Sequence, residues 1–106
     1  MPTFDGMTFE GPMEIADLPH SPGVYLIVTD ASGGVKIIGA YEGTDMNQSA
    51  ADNPKRDCWM KNRKDTDPVA YCKVESDASE REKLVLNMMF RRPYELVCND
   101  PIRDDF

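Results

Sequence analysis

Two β-branched and aromatic runs lie almost end to end in this chain. They are Val24-Tyr25-Leu26-Ile27-Val28-Thr29 and Val35-Lys36-Ile37-Ile38-Gly39-Ala40-Tyr41. Residue types of this kind suit a pleated, half-buried surface. Between the runs stands Asp30-Ala31-Ser32-Gly33-Gly34, which has turn composition. So short a connection points to an antiparallel hairpin, because a parallel pair needs a crossover of a dozen residues or more. Any fold open to this chain is built around that hairpin.

The flanks supply the other layers. Residues 1–20 read as an irregular arm, broken repeatedly by Pro2, Gly6, Gly11, Pro12 and Pro19. Glu42 to Pro54 reads as a polar loop or frayed helix, and Asp57–Lys64 as one or two helical turns with Cys58 and Trp59 inward. Val69–Val74 is a third strand. Asp77 is the expected N-cap, with Glu80 three residues on, in capping-box spacing. Leu84, Val85, Met88 and Met89 then form an apolar stripe at helical spacing. Pro93 ends that helix, Leu96-Val97-Cys98 is a short apolar strand, and 100–106 is an acidic tail. The expected class is α+β: a small antiparallel three-stranded sheet flanked by helices, in a single domain over 1–106 with its core at 21–99. The length of 106 residues fits one domain.

Charge narrows the partners. Nineteen acidic against twelve basic residues give a net charge of −7, the reverse of the usual nucleic-acid footprint. Five of the twelve basic residues fall together, however: Lys55, Arg56, Lys61, Arg63 and Lys64. They define a local basic face as the candidate surface for a nucleic acid or protein partner. No apolar run approaches the roughly 20 residues of a spanning helix, so no membrane partner is expected. Met1–Glu10 has no basic residue and no apolar stretch, so no signal peptide is expected either. Cys58, Cys72 and Cys98 contain no C-x-x-C and are too few for a disulfide framework. They read as free thiols of a reduced, cytoplasmic protein.

Gly23-Val24-Tyr25 on the first strand and Ile37-Ile38-Gly39 on the second, with Pro22 before the first motif, resemble the GIY-YIG nuclease domain. Cys58-Trp59, Pro93 and Asn99 fall in matching order, so the resemblance spans Leu18–Asn99. It implies metal-assisted phosphodiester cleavage. A strand tyrosine and a first-helix arginine handle the attacking water and the phosphate, and a later-helix glutamate binds one Mg2+ or Mn2+. Carried over, Tyr25 is present and Ile37 replaces the second tyrosine, with Tyr41 as the substitute if the motif is read as Tyr41-Glu42-Gly43. No arginine lies in Gly39–Lys55, which makes Arg56 the first candidate. The metal position falls on Asn87, a poor sole ligand for a hard cation, with Glu82 (or Glu80) one to two turns earlier as substitute.

With those groups missing, the expected activity is binding by a degenerate domain, without nuclease activity and with no firm cofactor. Losing one preorganised electrostatic contact typically costs about 10²–10³ in rate. The alternatives are a metal-dependent endonuclease with shifted residues, and an acidic inhibitor of phage type whose carboxylates imitate a nucleic-acid backbone.

Overall fold

The computed structural model describes residues 3–4, 6–31, 34–63, 66–92 and 95–99. Lys64, Pro93 and the 100–106 tail, named above, lie outside the described residues. The elements in order are β1 (Thr3–Phe4), β2 (Met7–Thr8), β3 (Glu10–Met13), a 3-10 turn at Ile15–Asp17, β4 (Gly23–Ala31) and β5 (Gly34–Gly43). There follow α1 (Met46–Ala51), α2 (Arg56–Lys61), β6 (Val69–Val74) and α3 (Ala78–Arg91).

The main sheet has the order β3-β6-β4-β5 and is antiparallel throughout. Its centre is the expected trio, with β4 pairing β5 (Tyr25 opposite Tyr41) and β6 (Tyr25 opposite Cys72). The sheet has four strands, not the three expected. The fourth is β3, drawn from the arm that was read as irregular. Two residues hide it from a sequence pattern. Pro12 suits only an edge strand. Gly11 takes φ +138°, and a Cβ there would stand 2.7 Å from the Tyr71 ring and 2.8 Å from the Ala70 carbonyl. Glycine therefore lets the arm lie close against β6, at the cost of a recognisable alternation.

Helix α3 forms where the N-cap and stripe place it. The Asp77 carboxylate accepts from the Ser79 and Glu80 backbone N–H groups at 2.9 and 3.3 Å. The reciprocal half of a capping box is not made by Glu80. Glu75 instead accepts from the Asp77 N–H at 3.1 Å. The polar stretch after β5 holds α1, capped by Asp45, which accepts from the Gln48 N–H at 3.0 Å. The expected last strand is absent: the described 95–99 segment is a series of turns lying along β5.

Strand alternation sorts the core into two faces. Tyr25, Ile27, Ile38, Ala70 and Cys72 pack with Leu18, Met46, Ala50, Trp59 and Cys98, under α1 and α2. Val24, Leu26, Val28, Ile37, Ala40 and Tyr71 pack with Phe9, Met88 and Leu96, under α3. Leu84, Val85 and Met89 complete the α3 stripe. No described helix is long and apolar enough to cross a membrane.

Candidate functional site

Tyr25 and Tyr41 face each other across β4 and β5, with ring centroids 5.5 Å apart. Tyr41 in turn lies 5.6 Å from Trp59 of α2. Gly39 makes room for this row: a Cβ there would meet the Tyr41 hydroxyl at 2.6 Å. The glycine of the second motif thus has a packing reason of its own. The structure brings Tyr25, Tyr41, Trp59 and Arg56 to one face of the sheet.

The polar ends of the three rings are each engaged within the fold. The Tyr25 hydroxyl and the Ser49 hydroxyl are 2.8 Å apart, and Asn53 Nδ2 donates to the Tyr25 oxygen at 3.1 Å. The Trp59 indole N–H donates to the Tyr41 oxygen at 3.0 Å, and Tyr41 donates to the Cys98 carbonyl at 2.8 Å. Burial pushes the Tyr25 phenol above its ordinary pKa, the hydrogen bonds from Ser49 and Asn53 oppose this, and the Glu42 charge adds to it. A phenol held neutral inside its own network is a poor base. Trp59 is 1% exposed, which removes it as a stacking platform.

Arg56 is also tied into the fold. Its Nη1 donates to the Ala50 carbonyl at 3.1 Å, closing α1 onto α2, and its guanidinium lies 5.9 Å from the Trp59 ring centroid. Beside Ser49 opens a depression of about 270 Å³ lined by Gly43, Thr44, Asp45, Gln48, Ser49 and Asp52. Its charged lining is two carboxylates. The Gln48 N–H, and then His20 3.0 Å away, hold the Asp45 carboxyl below its usual range. An acidic lining of this kind repels a phosphate.

Asn87, Glu82 and Glu80 stand on α3, which covers the opposite face of the sheet from Tyr25. Ile37, at the second tyrosine position, is buried on that α3 side. The metal position and the tyrosine row therefore do not converge on one groove. Among the described residues, no three His, Cys, Asp or Glu side chains are grouped to hold a metal ion. The residues present do not fit the divalent cation that the resemblance implies.

The basic cluster lies on and around α2. Arg56, Lys61 and Arg63 are exposed, and Arg63 pairs with Asp67 at 3.2 Å. Met60 and Val97 stand exposed in the same region. The free-thiol reading is corrected for two cysteines, because Cys58 and Cys98 are joined by a disulfide. Forty residues separate them, and only the packing of the 95–99 segment beside α2 brings them together. Cys72 is free and buried in β6, where burial pushes its thiol up and the Glu10 charge adds to the effect.

Sequence reasoning missed three polar partners: Ser49, Asn53 and the buried Arg81. Arg81 donates from Nε to Glu42 at 2.8 Å and from Nη1 to the Glu75 and Ser76 carbonyls at 3.1 and 2.9 Å. The available signal for Arg81 was its place one turn before Leu84 and Val85, on the inward side of the stripe.

Comparison of the chain with protein-family models, with curated proteins and with solved structures gives no match in any of the three.

Proposed function

We propose that the chain is a GIY-YIG-like domain that acts by binding and not by phosphodiester cleavage, with the basic α2 region as its contact surface. One observation carries the reading. The hydroxyls of Tyr25 and Tyr41 are engaged by Ser49, Asn53, Trp59 and the Cys98 carbonyl, while Asn87 and Glu82 lie across the sheet from them. Cleavage needs a base, a phosphate-binding cation and a metal ligand around one phosphate. Here the base side is a buried neutral phenol, and the metal position lies across the sheet from it.

The α2 region favours an acidic protein surface over a nucleic acid. Its cations (Lys55, Arg56, Lys61 and Arg63) flank exposed Met60, and Trp59 is turned inward. The net charge of −7 penalises a long polyanion but not a local acidic patch. The test is incubation of the purified protein with Mg2+ or Mn2+ on single- and double-stranded DNA and RNA, alongside fluorescence anisotropy with the same oligonucleotides. The expected result is no cleavage above background and only weak, salt-sensitive binding. Cleavage that disappears in Tyr25→Phe or Glu82→Gln would overturn the reading in favour of the endonuclease.

A further inference from the structure

We propose that the Cys58–Cys98 bond is a thiol–disulfide exchange site, attacked at Cys58, whose reduction by a dithiol frees the 95–99 segment from α2 and uncovers the outer edge of β5. The segment caps that edge through a compact set of hydrogen bonds. The Cys98 N–H donates to the Ile38 carbonyl at 2.9 Å. Asn99 accepts from the Ala40 N–H at 2.8 Å and donates to the Ala40 carbonyl at 2.7 Å, as a neighbouring strand would. Glu95 accepts from the Ile37 N–H at 3.4 Å and pairs with Arg92 at 2.8 Å.

Ile38 is the extra residue of a bulge, since Ile27 pairs with Gly39 and Val28 with Ile37. A bulge residue of this kind falls outside the regular pairing, and the Ile38 carbonyl accepts from the segment's Cys98 N–H. The disulfide is the covalent link from this cap to the helical layer. Without it, the cap holds by hydrogen bonds and by the burial of Leu96.

Access and chemistry point to Cys58 as the attacked sulfur. Cys98 is 1% exposed, whereas Cys58 is half-buried on the surface of α2. A dithiol thiolate bonds to Cys58 Sγ, the Cys58–Cys98 bond breaks, and Cys98 leaves as a thiolate. The second thiol of the reagent then displaces Cys58, so the reagent is oxidised to its disulfide and two electrons pass to the protein. Asn62, the C-cap of α2, donates from Nδ2 to the Cys58 carbonyl at 2.8 Å, and the same amide group lies 3.5 Å from the Cys58 sulfur and 3.7 Å from the Cys98 sulfur. A donor there stabilises the thiolate that forms as the bond breaks. Lys61, one turn along α2 from Cys58, adds positive charge, and adjacent Asp57 opposes it. Cys72 is shut inside the sheet and takes no part.

The experiment reduces the native full chain with dithiothreitol and follows intact mass, circular dichroism and amide hydrogen exchange. Reduction should proceed without denaturant, with the circular dichroism of the sheet retained. The Ala40 and Cys98 amides should then exchange at least about tenfold faster, while the Tyr71 and Cys72 amides inside the sheet change less than about twofold. Asn62→Leu should slow reduction by about fivefold or more with an unchanged spectrum, through loss of the donor. Cys98→Ser should show the fast Ala40 exchange before any reductant is added. Reduction only in denaturant, unchanged exchange at Ala40 after complete reduction, or an equal rise at every amide would each overturn the proposal.

Discussion

The two faces of the central sheet solve the same burial problem with different chemistry. Under α3 the core is apolar apart from the Tyr71 hydroxyl, from Phe9, Val24 and Leu26 to Met88, with the Arg81–Glu42 pair at its border. Under α1 and α2 it is built from amphipathic rings whose polar ends interlock: Tyr25 with Ser49 and Asn53, and Tyr41 with Trp59 and the Cys98 carbonyl. The first kind of core tolerates hydrophobic exchange if volume is kept. The second does not, because losing one member leaves another polar atom buried and unpaired. Among the described residues, no buried side-chain nitrogen or oxygen lacks a partner. Tyrosines in the place of a catalytic pair can therefore be there for packing, and their bonding partners distinguish the two roles.

The largest effect expected falls on the α1–α2 face. Closing a loop across a separation of 40 residues removes unfolded-state freedom worth about 4 kcal/mol. Cys58→Ser with Cys98→Ser should lower stability by about that amount in urea melts, and reduction of the native chain should match the double variant. A change below about 1 kcal/mol would mean that hydrogen bonding alone secures the 95–99 segment.

The second test breaks the α3 border. Arg81 is 4% exposed and bonds Glu42 together with two backbone carbonyls. Arg81→Ala should cost about 3 kcal/mol, less than a fully buried pair because Glu42 is one-third exposed. Arg81→Met combined with Glu42→Leu should recover more than half of that loss, as apolar replacements of buried pairs often do. No recovery would show that the Glu75 and Ser76 carbonyls, and not Glu42, are what Arg81 chiefly holds.

A third test sharpens the contrast at Tyr25. Tyr25→Phe keeps the ring but leaves Ser49 and Asn53 without their shared partner, for a loss of about 1–2 kcal/mol at neutral pH. Burial raises the folded-state pKa above the unfolded value of about 10. Below the unfolded value both states hold the proton, and the contribution of the phenol is fully present. Above it the unfolded chain loses the proton first, so stability falls until pH passes the folded value. The native protein should lose stability from about pH 10 upward more steeply than Tyr25→Phe. Parallel alkaline limbs in urea melts at several pH values would show that Tyr25 is not the group responsible.

The hairpin, the third strand and α3 were legible because each rests on local pattern: β-branched runs, a turn, and an N-cap before a stripe. What escaped was non-local. Strand β3 depends on Gly11 fitting against Tyr71, which no periodicity encodes. Helix α1 has only six residues, Met46–Ala51, and buries just Met46 and Ala50, too few for a recognisable stripe. The disulfide joins residues 40 apart, and spacing by itself could not pair them. Of the site, Tyr41 was legible only as a substitute for Ile37, and the register of the hairpin sets it opposite Tyr25. The separation of Asn87 from both was not legible, because it depends on which face of the sheet α3 covers.

The smallest effect is expected at Asn87, where the two faces can be compared most directly. Asn87 is exposed on α3 and no described contact depends on it. Asn87→Glu should therefore change stability by less than about 0.5 kcal/mol. If a metal groove required the tyrosine row, the new carboxylate would stand across the sheet from it and gain no Mg2+ or Mn2+ affinity by calorimetry. A single exposed carboxylate supplies one oxygen donor group, whereas these cations need several oxygens to replace bound water. A measurable Mn2+ affinity in Asn87→Glu would break the comparison, since the α3 side would then carry a latent cation site. Asn87→Glu combined with Ile37→Tyr tests the same point from the sheet, because Ile37 is buried on the α3 side and holds the second tyrosine position. If the double variant still binds no Mn2+ while its circular dichroism is unchanged, neither face of this sheet retains the geometry of a nuclease centre, and binding by the outer surface remains the reading that fits.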